Sequence, residues 1–206
     1  MLMDLEQLIR TYRIKATGVL HLGAHLGEEA DAYDDVGMPQ VIWIEADPRV
    51  YERLTEALQG RSNHRTYRAL LDRQDATAVF HVANNGQSSS LLGFGTHTRY
   101  YPEIRFVEDV RMSTVTVDRL WSMNDWTSLN FWNLDLQGAE LRVLEGATNS
   151  LAACDYLYCE VNREPLYEHC VLVEDLDTYL GDFARVVTQW TEHQWGDALY
   201  IRRALL

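Results

Sequence analysis

The chain has 206 residues, 47% of them hydrophobic and 24% charged, with a formal net charge of −13. That length suits one domain spanning residues 1–206, while the acidity repels a phosphate backbone and no local basic patch offsets it, so nucleic acid is excluded as an expected partner. No apolar run reaches the roughly 20 residues that cross a bilayer, MLMDLEQLIRTYRIK lacks the apolar core of a secretory signal, and Cys154, Cys159 and Cys170 lack a CxxC pair; a cytoplasmic protein with free thiols and no membrane partner is expected.

Leu2, Leu5, Leu8, Ile9 and Tyr12 recur at helical spacing and predict a short amphipathic helix within residues 1–15. Gly18-Val19-Leu20-His21-Leu22 reads as a buried strand that runs into Gly23-Ala24-His25-Leu26-Gly27, and a helix follows from about Glu28 to Val36. Val41-Ile42-Trp43-Ile44 is a second strand, ending at Glu45. Asp47-Pro48 then starts a helix as N-cap and first helical residue, with Val50, Leu54 and Leu58 on its inner face. Thr66 to Leu71 reads as a third strand, and Ala78 to Ala83 as a fourth outside the repeating unit.

Residues 84–105 mix turn formers and aromatics without period; a stretch this long inside a compact domain is expected to be a substrate-side loop or to hold a short helix. Met112 to Val117 alternates as a strand and Val117 to Met123 as a helical turn. Leu129 to Leu134 is a strand ending at Asp135, followed by a helix from near Gly138 with a break at Gly146. Tyr156 to Cys159 is the next strand, ending in Glu160-Val161-Asn162; Leu172, Leu176 and Tyr179 or Leu180 mark a further helix. Ala184 to Thr191 and Asp197 to Ile201 close the chain as two strands joined by a loop carrying Trp195 and Gly196. Strands alternating with helices predict an α/β fold, a parallel sheet covered on both faces with an antiparallel finish. Trp43, Trp121, Trp126 and Trp132 read as packing residues.

The strand–glycine turn–helix unit forms a cradle at a strand's carboxyl end, where open α/β sheets bind ligands: Gly23 permits the tight turn and Gly27 a close backbone approach. Glu45 ends the second strand about twenty residues on, the position from which a carboxylate accepts hydrogen bonds from a ribose diol. A dinucleotide turn needs glycine where His25 stands, and Glu28 and Glu29 in the first helical turn repel a diphosphate. S-adenosylmethionine carries no phosphate and a positive sulfonium, so the local charge favours it.

Four blocks in order, VLHLGAHLGEE, VIWIEADP, NFWNLDLQGAELRVLEGA and YCEVNREPLYE, with a terminal WGDALYIRR, resemble the FkbM-type methyltransferase family over residues 18–203. The resemblance implies a Rossmann-like class I methyltransferase fold, a mostly parallel seven-stranded sheet with an antiparallel C-terminal strand and helices on both faces. It implies S-adenosylmethionine as methyl donor and O-methylation of a sugar or other small polar molecule. Carried over by position, Gly23, Ala24, His25 and Gly27 resemble the loop around the cofactor's methionine part, Glu45 the ribose ligand and Asp135 the acid beside the transferring methyl. Three positions depart from the family pattern: His21 replaces an acid before the glycine turn, and Asn133 and Gln137 flank Asp135 where lysine and glutamate are common.

Methyl transfer to a hydroxyl needs in-line alignment and a proton acceptor or a metal. Asp135 at its strand end can orient the cofactor's amino group, accept the proton or ligate a metal, and a helix-capping role is the alternative. His25 and His193 are the histidines to test as base; His97 and His169 are less informative. Glu160 and Asn162 leave their strand on the same edge and, with Gln137 and Ser89, are candidate acceptor contacts; Asn84, Asn85, Ser88, Ser90, Tyr100 and Tyr101 extend that surface. Asp135, Glu160 and Asp197 are an oxygen set a magnesium ion would accept, but their spacing does not demand one and no metal ligand is assigned. A nicotinamide-dependent oxidoreductase and a non-catalytic cofactor-binding module are the competing readings.

Overall fold

The computed structural model describes residues 1–206. The apolar runs become the buried centre of the main sheet. Strands β1 (Val19–Leu22), β2 (Val41–Glu45) and β3 (His64–Arg68) lie side by side in parallel, while β4 (Leu70–Leu71), β5 (Thr77–Ala83) and β6 (Phe106–Val115) form a separate sheet in the order β4-β6-β5. The chain then returns through β7 (Phe131–Leu134) on the other side of β1 and continues to β8 (Tyr156–Asn162), again parallel. β9 (Phe183–Trp190) and β10 (Trp195–Arg202) form the antiparallel end, so the main sheet reads β3-β2-β1-β7-β8-β10-β9. This is the seven-stranded arrangement expected for the fold.

Helices α1 (Leu5–Tyr12), α2 (Ala30–Asp35), α3 (Pro48–Ala57), α5 (Val117–Ser122), α6 (Glu140–Glu145) and α7 (Val173–Tyr179) pack around the main sheet, and α4 (His97–Tyr100) is a single turn inside the 84–105 segment. Because both faces are covered, β1, β2, β7 and β8 are buried at every position. One core joins Leu20, Leu22, Ile42, Ile44 and Trp132; the other joins Val19, Val41, Trp43, Phe131 and Tyr158. The Asp47-Pro48 start of α3 stands as expected, with the Asp47 carboxylate accepting from Arg49 N at 2.8 Å. Trp43, Trp126 and Trp132 are fully buried, in keeping with a packing role.

Several boundaries differ from the sequence reading, and the strand expected over Met112 to Val117 instead runs from Phe106 to Val115, paired with β5. The strand expected over Thr66 to Leu71 divides at Ala69: β2 ends at Glu45, so β3 loses its main-sheet neighbour beyond Arg68, and Leu70–Leu71 pair instead with Thr114–Val115. β8 ends in Glu160, Val161 and Asn162 as expected, and these three lie in register with β10. For the same reason Trp195 and Gly196 belong to β10 rather than to a loop, pairing with Asn162 and Val161. No helix is long and apolar enough to cross a membrane.

Candidate active site

Strand order reverses between β1 and β7, since the chain runs outward from β1 to β3 before returning to β7. A cavity of about 540 Å³ opens beyond the carboxyl ends of these strands, the crevice where doubly wound sheets bind ligands. Seven carboxylates line it, and neither a lysine nor an arginine does.

The glycine turn forms its inner corner. Gly23 has φ +87°, and a Cβ there would lie 1.8 Å from the carbonyl oxygen of Asp135, so only glycine lets β1 and β7 close at this point. The Gly23 and Ala24 N–H groups both donate to the Ile44 carbonyl at 3.0 Å, which ties the turn to β2. Gly23, Ala24 and His25 line the cavity as expected, but Gly27 does not. Gly27, at φ +75°, lies against α3, where an added Cβ would meet Leu54 Cδ1 at 3.0 Å; its small size serves helix packing rather than ligand approach.

Glu45 turns back toward this corner. Its Oε2 accepts from His25 N at 2.9 Å, and its Oε1 accepts from Ala46 N and Asp47 N, each at 2.8 Å. A carboxylate offers about four acceptor positions, so one remains for a ribose hydroxyl rather than the pair expected for a diol. Burial pushes the Glu45 carboxyl up to about 7 despite these three bonds. Beside it, Ile44, Ala46, Leu70, Leu71 and Phe80 form an apolar slot of the kind that holds a purine.

The residues that depart from the family pattern compensate one another. His21 and Asn133 are register partners across β1 and β7. Asn133 Nδ2 donates to Tyr33 Oη at 2.9 Å, leaving Tyr33 free to donate to His21 Nδ1 at 3.2 Å. The His21 ring stacks on Trp43 with centroids 4.7 Å apart, and burial lowers its pKa to about 4, so it is a neutral structural group. Glu29, on the next turn, also lines the cavity, and its Oε1 accepts from the Met1 ammonium at 2.6 Å.

Asp135 is exposed into the cavity from the end of β7, and its main-chain N–H donates to Leu22 O at 3.0 Å. Desolvation, reinforced by the charges of Asp197 and Glu29, pushes its carboxyl up to about 6. Gln137, held at φ +53°, donates from Nε2 to Asp135 Oδ1 at 2.6 Å and to Glu160 Oε2 at 3.0 Å. Its Oε1 accepts from Tyr167 Oη at 2.6 Å. A neutral amide thus sits between two carboxyls where a glutamate would add a third negative charge. Burial and the neighbouring acids hold the Glu160 carboxyl well above its ordinary range. Asp197 is committed elsewhere, its Oδ2 accepting from Tyr158 Oη at 2.5 Å and Leu2 N at 2.6 Å. The oxygen set weighed for magnesium does not converge into a metal-ligand group.

Three further expectations change. Asn162 is buried and lies outside the cavity wall, because β8 carries it on into the pairing with β10. Ser89 lines the cavity, but its hydroxyl is used within the loop, donating to Gly86 O at 2.7 Å and accepting from Ala83 N at 3.0 Å. Ser88, whose Oγ accepts from Asn85 Nδ2 at 3.0 Å, keeps its own proton to donate and is the better acceptor contact. His25 does not present a free base on its Nδ1, which lies 2.6 Å from Glu28 Oε1. Burial lowers its pKa, but the bond to Glu28 and the charges of Glu28, Glu45 and Asp135 outweigh that and leave it raised, favouring the protonated ring. His193 is likewise engaged, its Nδ1 2.8 Å from Tyr101 Oη. His97, ranked below His25 and His193 on sequence, lines the cavity at 4% exposure; only its place against residues 165–167 marks it out.

A model of the methyltransferase FkbM domain matches residues 21–192. The 2-O-methyltransferase NoeI of Sinorhizobium fredii is 24% identical over 189 residues, covering 88% of this chain and 77% of the relative. Among solved structures, Streptococcus pneumoniae Sp1610, a candidate tRNA (m1A22) methyltransferase in complex with S-adenosyl-L-methionine, superposes with a TM-score of 0.55 at 12% identity, covering 98% of this chain and 73% of that one. A SAM dependent methyltransferase from Aquifex aeolicus gives a TM-score of 0.52 at 12% identity, covering 98% and 90%. These likenesses establish the fold.

Proposed function

Because the chain belongs to the FkbM methyltransferase family and is an S-adenosylmethionine-dependent enzyme, we propose that it methylates a hydroxyl of an uncharged, polyhydroxylated small molecule. The observation that carries this reading is the acid-lined wall of the cavity, which carries seven carboxylates and neither lysine nor arginine. It suits a cationic methyl donor and offers no lysine or arginine to pair with a phosphate, sulfate or carboxylate on the acceptor. The same wall disfavours the diphosphate of a nicotinamide dinucleotide.

S-adenosylmethionine supplies, when bound, a methyl group on a positively charged sulfur. The chain's own groups divide the remaining work. Glu45 receives a ribose hydroxyl on its one open acceptor position, while the apolar slot beside it takes the adenine. Gly23, Ala24 and His25 border the methionine part. Asp135, braced by Gln137, lines the methyl-transfer end and aligns the acceptor oxygen. Ser88, Asn85 and Glu160 border the acceptor lobe, whose outer side carries Tyr101, Tyr167 and Trp195. A polar rim with aromatic walls is the chemistry that recognises sugar-like rings, and the 2-O-methyltransferase activity in the name of the Sinorhizobium relative points the same way.

The test is calorimetry with S-adenosylhomocysteine, followed by a methyl-transfer assay over methyl glycosides of the common hexoses, inositol, a catechol and a sugar phosphate. Micromolar product binding and turnover on neutral polyols are expected. Turnover confined to the catechol or the sugar phosphate would overturn the acceptor assignment.

A further inference from the structure

Within the acceptor lobe one buried ionisable side chain has no partner. His97 is 4% exposed and lines the cavity; neither ring nitrogen forms a hydrogen bond to the protein, and Nδ1 is a buried, unsatisfied atom, as is the neighbouring Thr96 Oγ1. Burying an unpaired polar atom costs about 1–3 kcal/mol, so such groups call for a functional explanation. The ring is nevertheless held firmly. It stacks on Phe94 with centroids 4.4 Å apart and planes inclined by 11°. Its main chain is clamped as well, with Gly95 N and His97 N both donating to Leu166 O, at 2.8 and 3.1 Å, and Thr96 N donating to Pro165 O at 2.9 Å. A Cβ on Gly95 would lie 2.2 Å from Pro165 O, so the close approach requires glycine there.

We propose that His97 is the catalytic base, taking the proton of the acceptor hydroxyl as its oxygen is methylated. This inference rests on the O-methylation reading above. The acceptor oxygen forms its new bond to the methyl carbon, the electron pair of the old bond stays on the departing thioether, and the hydroxyl proton goes to Nε2, the ring nitrogen that is not sealed off, then to water after product release. The groups facing the ring are Glu103 and Tyr101 from its own segment and Tyr167 from the segment after β8, with His193 behind Tyr101. Burial lowers the His97 pKa and outweighs the opposing charge of Glu103, which keeps the ring neutral and able to accept at physiological pH. The other two candidate histidines are already engaged, His25 by Glu28 and His193 by Tyr101.

H97Q and H97F are compared with wild type on the best neutral acceptor. Both are expected to lose at least 100-fold in kcat and to bind S-adenosylhomocysteine within twofold of wild type. Wild-type kcat should fall on the acid side below the ordinary histidine value of 6.5, and this limb should vanish in both variants. H97F keeps the stacking, so a rate within threefold of wild type in H97F would assign His97 to packing and overturn the proposal, as would an intact acid limb in H97Q. Should the variants misfold, the same acceptor titrated into wild-type protein saturated with S-adenosylhomocysteine should move the His97 ring nitrogen resonances while those of exposed His169 stay in place; unmoved His97 resonances overturn it. A wild-type enzyme that methylates no hydroxyl at all refutes the acceptor reading instead, and this inference with it.

Discussion

Replacing Glu45 by Gln separates what this carboxylate does for binding from what it costs the fold. Three of its roughly four acceptor positions serve main-chain N–H groups, at 2.8, 2.8 and 2.9 Å. The fourth is open to a ribose hydroxyl, and a hydrogen bond to a charged group contributes about 1.5–3 kcal/mol. E45Q should therefore weaken S-adenosylhomocysteine on the order of 10- to 100-fold at pH 8. Stability should move the other way. The folded-state pKa of about 7 lies above the ordinary 4.5, so the folded protein holds an extra proton between those values. This contribution is fully present below about pH 4.5 and is lost as pH rises through 7. The full shift corresponds to about 3 kcal/mol, which in a domain of this size is about 6–12 °C in Tm. Glutamine stays neutral throughout, so the E45Q melting curve should decline less than that of wild type between pH 5 and pH 8.5 by about that amount. Calorimetry and thermal scans across this range measure both effects. Parallel melting curves would refute the burial argument, and unchanged product affinity would remove Glu45 from the ribose site.

Gly23→Ala should be among the most damaging single changes in the chain. It places a Cβ 1.8 Å from Asp135 O in a residue at φ +87°, and a loss on the order of 4 kcal/mol or more is expected, seen as a collapse of Tm and of product binding; a soluble variant with near-native Tm would contradict the geometry. Asp135→Asn should cut kcat at least 100-fold while product affinity changes less than tenfold if, as proposed, the side chain lines the methyl-transfer end; retention of a third of the wild-type rate would argue that it is only structural. In the native protein Cys154 and Cys159 should resist alkylation at pH 8, being fully buried with their thiols pushed far up by desolvation, and Cys170, pushed up to about 11, should react slowly. Mass spectrometry after iodoacetamide treatment checks this, and rapid labelling of Cys159 would show that β8 opens.

What the sequence alone determined is what depends on neighbours along the chain. A glycine at the end of an apolar strand, an acid at the end of the next, and Asp47-Pro48 opening a helix are conformational preferences carried by a few consecutive residues, and each appears where expected. The alternation of strands and helices likewise sufficed for the sheet and its antiparallel edge. Tertiary structure decided which atoms lose water and which find partners. Gly23 and Gly27 look alike in sequence, yet one faces Asp135 and the cavity and the other faces Leu54. Ser88 and Ser89 differ only in which hydroxyl proton is already used. Asn162 left the site because β10 fixed where β8 ends, and His21 with Asn133 became a neutral buried pair because Tyr33 lies between them. His97 emerged only when residues 165–167 clamped its segment and left its ring nitrogens without partners. Desolvation and hydrogen-bond satisfaction are sums over atoms that meet only in the folded chain, so no local pattern encodes them.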